Sequence, residues 1–304
     1  MRIVLVGNGW LPIPPPSWGA IEILIWDLYN LLKNKGHDIL IVNERYEDKV
    51  ISEINNFKPD VIHIHAPRFC DVLSKVDCKI KIASSQDTQE TFETFQRFIN
   101  GDFYISTVSE KLKQKYIENG REPNTVFVTP NGIDHTKFQY NSFCVYPQRS
   151  ICLGMIEERK KQYKYENIST LYFAGGIQCS KFNNKTNYLG EWTKQQVYSF
   201  LTIFANLVLL SESEAHSLAV SEALICGLGV VVSEAASANL DYSKPWITII
   251  PNDKLDDINF VEEKIQENRD ISVKYREEIR KHSLETISWD ARISLYEQMY
   301  LNNS

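Results

Sequence analysis

The chain of 304 residues has little that would staple or anchor it. Its cysteines (Cys70, Cys78, Cys144, Cys152, Cys179, Cys226) stand far apart with no CxxC or Cys/His ligand spacing, which excludes a zinc site and a disulfide scaffold. No window approaches the roughly 18 uninterrupted apolar residues of a membrane-spanning helix. The opening run MRIVLVGNGW is too short for a secretion signal, so a reduced, cytoplasmic setting is expected. Cationic surplus is missing too: 33 Lys and Arg stand against 39 Asp and Glu, a net charge of −6. Nucleic acid is therefore not expected as a partner, because phosphate backbones are bound through such a surplus. Finally, VGNGWLPIPPPSWG lacks the G-x-G-x-x-G spacing, which argues against a dinucleotide-dependent oxidoreductase.

What is present is an alternation of apolar runs and amphipathic segments. RIVLVG (2–7) is a β-branched run without polar alternation, the pattern of a parallel strand buried on both faces. PIPPP is read as a rigid loop. AIEILIWDLYNLLKNKG has apolar residues at helical spacing and stops at Gly36, a C-cap signal. HDILIVN, a helical segment near 46–57 and PDVIHIHA complete a βαβαβ pattern, the unit of a doubly wound parallel sheet. IKIASS (80–85), DFYIST (102–107), a helix near 108–119 and TVFVTP (125–130) extend it. The aperiodic HTKFQYNSFCVYPQR (135–149) reads as a linker. Strands restart at SICLGMI (150–156), TLYFAGG (170–176), ANLVLLS (205–211), GVVVSE (229–234) and WITIIP (246–251). Two α/β domains in series are expected, over 1–145 and 150–287. The run EEKIQENRDISVKYREEIRKH mixes both signs and reads as a solvated helix.

Open α/β sheets bind ligands outside the carboxyl ends of their strands. At such an end lies SESEAHSLAVSEALICG (211–227). A helix from Ser217 to just before Gly227 would turn free N–H groups and a positive dipole end toward 214–216, making an anion site. Glu214 and Glu222 would flank it. Carboxylates repel phosphate but accept hydrogen bonds from hydroxyls, and vicinal diols suit them. A ligand with hydroxyls on both sides of a diphosphate is a nucleotide-sugar; two solvated helix-end acids are the plain alternative. Gly19 lets backbone approach a diphosphate closely, or is simply a turn glycine. His65, in HIHA, lies nearest the carboxyl end of its strand, where it can meet a sugar or acceptor or serve as a satisfied structural histidine.

SESEAHSLAVSEAL resembles the E-x7-E signature of glycosyltransferase family 4, the retaining enzymes of GT-B fold, and CGLGVVVS resembles its continuation. Three further pieces agree in order. SWGAIE (17–22) resembles the family's Gly-rich donor loop, and VTPNGID (128–134) its PNG(I/V)D stretch. YLGEWTKQQVYSFLTIFANLVLLS resembles the segment between the nucleobase loop and E-x7-E. The resemblance spans nearly the whole chain. It implies two Rossmann-like, doubly wound parallel-sheet domains facing across a cleft, with a C-terminal helix (288–303) packing back on the first.

It further implies Glu222 on the ribose diol, Glu214 on donor-sugar hydroxyls, and the amides of His216, Ser217 and Leu218 on the phosphates. Gly19 and Gly175 join the donor-binding positions. CLGMIEERKKQ (152–162) resembles the loop in which an Arg and a Lys neutralise the leaving diphosphate. Here Met155 holds the Arg position, Arg159 can compensate, and the lysine is Lys160 or Lys161, with the longer variants of the loop favouring Lys161. The family's T-x-H-D element corresponds to SSQDT, with Gln86 in place of its histidine and Asp87 following.

The expected function is metal-independent, retaining transfer of a hexose from a UDP- or GDP-sugar to a glycan, lipid or small-molecule acceptor, with no cofactor beyond that co-substrate. A membrane surface is a common attachment point for such enzymes, but no basic amphipathic helix compels it. Two rivals share the fold: a nucleotide-sugar epimerase, and a non-catalytic nucleotide-sugar-binding subunit, which Met155 and Gln86 favour.

Overall fold

The structure, a computed structural model, describes residues 1–16, 19–87, 90–184 and 186–301. It divides into two compact units: Met1–Gly132 with the segment from Arg292 onward, and Ile133–Ala291. Among the described residues no helix is long and apolar enough to cross a membrane.

In the first unit the chain runs β1 (Arg2–Val6), α1 (Ala20–Asn34), β2 (Asp38–Val42), α2 (Glu47–Phe57), β3 (Val61–Ile64), β4 (Ile80–Ser85), α3 (Phe92–Asn100), β5 (Tyr104–Thr107), α4 (Glu110–Glu118) and β6 (Val126–Val128). The strands form one parallel sheet in the order β2-β1-β3-β4-β5-β6. The order reverses between β1 and β3, because β2 lies on one side of β1 and every later strand on the other.

The second unit holds β7 (Tyr146–Leu153), β8 (Leu171–Ala174), α5 (Lys194–Phe200), β9 (Phe204–Leu209), α6 (Leu218–Ile225), β10 (Gly229–Ser233), β11 (Ile247–Ile250), α7 (Ile258–Lys274) and α8 (Arg276–Thr286). Its parallel sheet has the order β11-β10-β9-β7-β8, so the reversal falls between β7 and β9. Alternate residues of these strands enter two different cores. Ile151, Leu153, Leu207, Leu209, Val230 and Val232 pack with Val220 and Ala223 of α6. Cys152, Val208, Leu210 and Val231 pack with Val261 and Ile265 of α7. A sheet covered on both faces needs apolar side chains at every position, and that is why its strands read as continuous apolar runs.

Two expectations change here. The segment 135–149 is not a linker but part of the second unit. Phe138 is buried against Tyr198, with ring centroids 4.7 Å apart, and Gln139 N donates to Tyr198 O at 2.9 Å. The boundary falls instead between Gly132 and Ile133. The mixed-charge run, expected as one solvated helix, is solvated along one side only. It is α7 and α8, broken at Tyr275, and its polar residues reach the amino-terminal edge of the sheet. Asn268 Nδ2 donates to Val230 O (3.2 Å) and Trp246 O (3.0 Å). Ser272 Oγ accepts from Gly229 N (2.6 Å) and donates to Ala205 O (2.5 Å). Arg276 donates to Asn141 O (2.8 Å), Phe204 O (3.2 Å) and Thr202 O. Buried main-chain groups require such partners, and charge counting along a helix cannot see them.

The last helix, α9 (Trp289–Leu301), starts in the second unit and ends in the first. In the first unit Arg292 donates to Asn131 O, Tyr296 OH to Thr129 O at 3.1 Å, and the Tyr300 hydroxyl meets His63 Nδ1 at 2.8 Å.

Arg276 is 1% exposed and has no acidic partner among the described residues, and burial pushes its pKa down. Arg276→Met strands three carbonyls and is expected to destabilise the second unit by about 3 kcal/mol. A urea midpoint matching wild type would contradict this accounting.

Candidate functional site

Where strand order reverses, successive loops leave a parallel sheet on opposite faces and open a crevice at its carboxyl edge. In the second unit these are the loops after β7 and β9, and polar contacts tie them together. Arg159 O accepts from Glu212 N at 2.9 Å. The Arg159 guanidinium donates to Ser213 O, to Glu214 Oε1 at 3.1 Å and to Glu157 Oε1 at 2.8 Å. Glu214, with its side chain 14% exposed, thus sits in the crevice opposite a cation from the other loop.

The two candidate lysines diverge. Lys161 has a left-handed backbone (φ 54°), and its amine is held 2.9 Å from Glu212. Glu212, to which the sequence assigned no chemistry, is its counter-ion. Lys160 turns toward the end of β7: its Nζ stands 3.2 Å from where a Cβ on Gly154 would be, and 3.8 Å from Glu157. It also lines a small cavity with Cys152, Gln162 and Tyr165. Met155 offers no charge; its carbonyl accepts from Gln162 Nε2 at 2.9 Å and its sulfur lies against Gly176. Gly175 (φ 152°) must be glycine, because a Cβ there would come within 2.0 Å of Gly154 O. It fastens the end of β8 to the end of β7.

α6 begins where the spacing predicts. Ser217 is its N-cap, its Oγ accepting from Val220 N at 3.4 Å. The first-turn amides from Leu218 on have no partner within their own helix, as at any helix start. His216 precedes the cap, with Nε2 3.2 Å from Ser221 Oγ. Glu222 lies on the second turn, 5% exposed, and its carboxylate is paired with Lys194 Nζ. Lys194 opens α5 behind a capping box of Thr193 and Gln196. Sequence reading missed this lysine. The capping box was legible, but nothing local places it against an acid 28 residues away. Glu214, Glu222, His216, Ser217 and Leu218 thus gather around the start of α6, and Arg159 reaches Glu214 there from the loop that also carries Lys160 and Lys161.

Gly19 and His65 belong to the first unit. Gly19 (φ 138°) precedes α1, and a Cβ on it would stand 2.7 Å from Glu22 Oε2, so only glycine fits. Ser17 and Trp18 of the donor-loop motif, and Thr88 of SSQDT, lie outside the described residues. His65 follows β3 and is 1% exposed. Its Nδ1 is 3.3 Å from Gln86 Nε2 and 3.5 Å from Ser84 Oγ, and its ring lies 4.0 Å from that of His63. His63 in turn bonds Ser84 Oγ at 2.7 Å. Burial pushes the His65 pKa down to about 3, and burial beside His65 pushes that of His63 well down too. Both rings are therefore neutral at pH 7.

No protein-family model and no curated protein sequence matches this chain. Solved structures do. AviGT4, a glycosyltransferase involved in avilamycin A biosynthesis, superposes with a TM-score of 0.75 at 14% identity, covering 98% of this chain and 96% of that one. The sucrose-phosphate synthase of Thermosynechococcus elongatus gives 0.81 at 12% identity, covering 99% and 98%. HepE of Anabaena, solved in complex with UDP and glucose, gives 0.68 at 12% identity, covering 98% of each chain. The chain has the GT-B fold. At these identities the likeness is one of architecture, and the roles of individual residues rest on the geometry above.

The buried neutral histidines have a consequence for stability. Below about pH 6.5 the unfolded chain binds protons that the folded chain refuses. Stability is therefore full above that pH and falls as pH drops toward the folded value of about 3 for His65. At pH 5 the loss from His65 is about 2 kcal/mol. Urea unfolding at pH 7 and pH 5 should show a shallower decline for His65→Asn than for wild type. Parallel declines would mean His65 is not buried neutral.

Proposed function

We propose that the protein transfers a hexose from a nucleoside-diphosphate sugar to an acceptor hydroxyl, with retention at the anomeric carbon and without a metal. The observation that carries this reading is the pairing at the β7/β9 reversal. Two carboxylates eight residues apart flank one helix start, each already matched to a cation from another element. Glu222 accepts the two ribose hydroxyls, displacing the Lys194 amine. The amides of Ser217 and Leu218, preceded by that of His216, face the diphosphate, with Lys160 as the lysine of the opposing loop. Glu214 accepts sugar hydroxyls. Gly19 and His65 take the positions of donor approach and acceptor or sugar contact in the first unit.

The step is a displacement at the anomeric carbon. The bond from that carbon to the β-phosphate oxygen breaks and its electron pair leaves on the diphosphate. The acceptor oxygen bonds to the same face, and its proton passes to the departing phosphate oxygen. Negative charge grows on the diphosphate as the bond breaks, so fixed cations and helix amides there lower the barrier directly. Met155 removes one such cation, and Arg159, four positions on, brings a guanidinium back to the crevice on the Glu214 side. HepE is solved with UDP and with UDP-glucose, which makes uridine donors the first to try.

Glu222→Ala is expected to weaken UDP-glucose binding at least ten-fold by calorimetry, about 1.4 kcal/mol or more; unchanged affinity removes the central argument. Met155→Arg, which restores a second fixed cation beside the diphosphate, is expected to raise kcat about ten-fold. A fall in kcat at unchanged donor affinity would show that the 154–161 loop does not face the leaving group.

A further inference from the structure

The first unit has its own reversal of strand order, between β1 and β3, and the loops around it carry residues that the donor chemistry leaves unused. Trp10, in the loop after β1, is 63% exposed. Arg45 and Arg68, from the loops after β2 and β3, flank its ring with guanidinium carbons 5.8 and 5.2 Å from the centroid. Arg68 also lies 4.0 Å over Phe69. Main-chain oxygens fix both arginines. Arg45 Nε donates to Gly9 O at 3.1 Å, Arg68 Nη1 to Arg45 O at 3.2 Å, and Arg68 Nη2 to Asn8 O. Asn43 steadies the same loop, accepting from Gly9 N and donating to Leu11 O, both at 2.8 Å.

Neither guanidinium has a carboxylate partner among the described residues. The neighbouring acids are committed elsewhere, Glu44 to Lys49 at 3.9 Å and Glu47 to Lys75. Both terminal nitrogens of Arg45 are likewise without a protein partner among the described residues. An acidic protein thus keeps two uncompensated, backbone-anchored guanidiniums around one open indole, at the carboxyl edge where such sheets bind ligands.

We propose that Trp10, Arg45 and Arg68 form a subsite for a saccharide bearing an anionic group, carboxylate or phosphate. This rests on the glycosyl-transfer reading, in which that saccharide is the acceptor. The indole offers a broad, rigid apolar face for a sugar ring. The guanidiniums offer planar forks that match carboxylate or phosphate oxygens. Because the backbone already restrains the forks, little side-chain freedom is lost on binding.

The test is calorimetry on the full chain with two matched pairs: tetragalacturonate against maltotetraose for the carboxylate, and glucose 6-phosphate against glucose for the phosphate. UDP is titrated in parallel. In at least one pair the charged member is expected to bind at least ten-fold tighter than the neutral one and to weaken as salt is raised; the pair that shows this identifies the anion. Arg45→Gln and Trp10→Ala, both at exposed positions, should each lower that affinity at least five-fold while melting temperature and UDP affinity hold. Equal binding within both pairs overturns the proposal, as does an Arg45→Gln variant that keeps the preference. Tighter binding of an oligothymidylate than of either charged saccharide also overturns it, in favour of nucleic acid. If UDP fails to bind while the acidic preference holds, it is the transfer reading that falls.

Discussion

Arg159 ties together the two loops that leave the second sheet on opposite faces, and Glu214 takes its place in the crevice from that tie. Its guanidinium reaches Ser213 O and Glu214, while its own carbonyl receives Glu212 N. Carboxylates as enclosed as those of Glu214 and Glu222 call for cations beside them. Arg159 and Lys194 supply those cations before any ligand arrives.

The two edges of the second sheet are treated differently by the same chain. At the amino edge, Asn268, Ser272 and Arg276 bond main-chain oxygens from inside α7 and α8. At the carboxyl edge the loops are longer, glycines allow close backbone approach at 154 and 175, and charged side chains point across the reversal. Polar side chains of the helices thus serve the main chain at one edge, while at the other charged side chains meet across the loops. The helix dipole adds to this, since α6 follows β9 and presents its start, not its end, to the crevice.

Much of the architecture was legible because sheets buried on both faces demand unbroken apolar runs, and those runs stand where the strands lie. The Ser217 cap and the placing of Glu222 on the second turn were legible for a local reason, the fixed geometry of a helix start. What escaped the sequence was non-local. Lys160 and Lys161 part at one left-handed residue, which sends the second amine to Glu212 and leaves the first at the strand end. Lys194 meets Glu222 because α5 and α6 pack into one core, through Val197 and Val220. The polar face of α7 looks solvated until the strand ends it serves are known. Such contacts are set by topology, and a residue's neighbours in sequence carry no trace of them.

Both reversals are bridged by the same device. An arginine from one flanking loop donates to a main-chain oxygen of the other, Arg159 to Ser213 in the second unit and Arg68 to Asn8 in the first. The difference lies in what else each guanidinium meets. Arg159 finds a carboxylate, so its charge is balanced. Arg68 finds aromatic rings, Trp10 and Phe69, which hold a cation through their π faces without neutralising it. A shared structural role therefore explains why an arginine stands at each reversal. It does not explain why, among the described residues, Arg159 has a counter-ion and Arg68 has none; the proposed anionic saccharide would account for that.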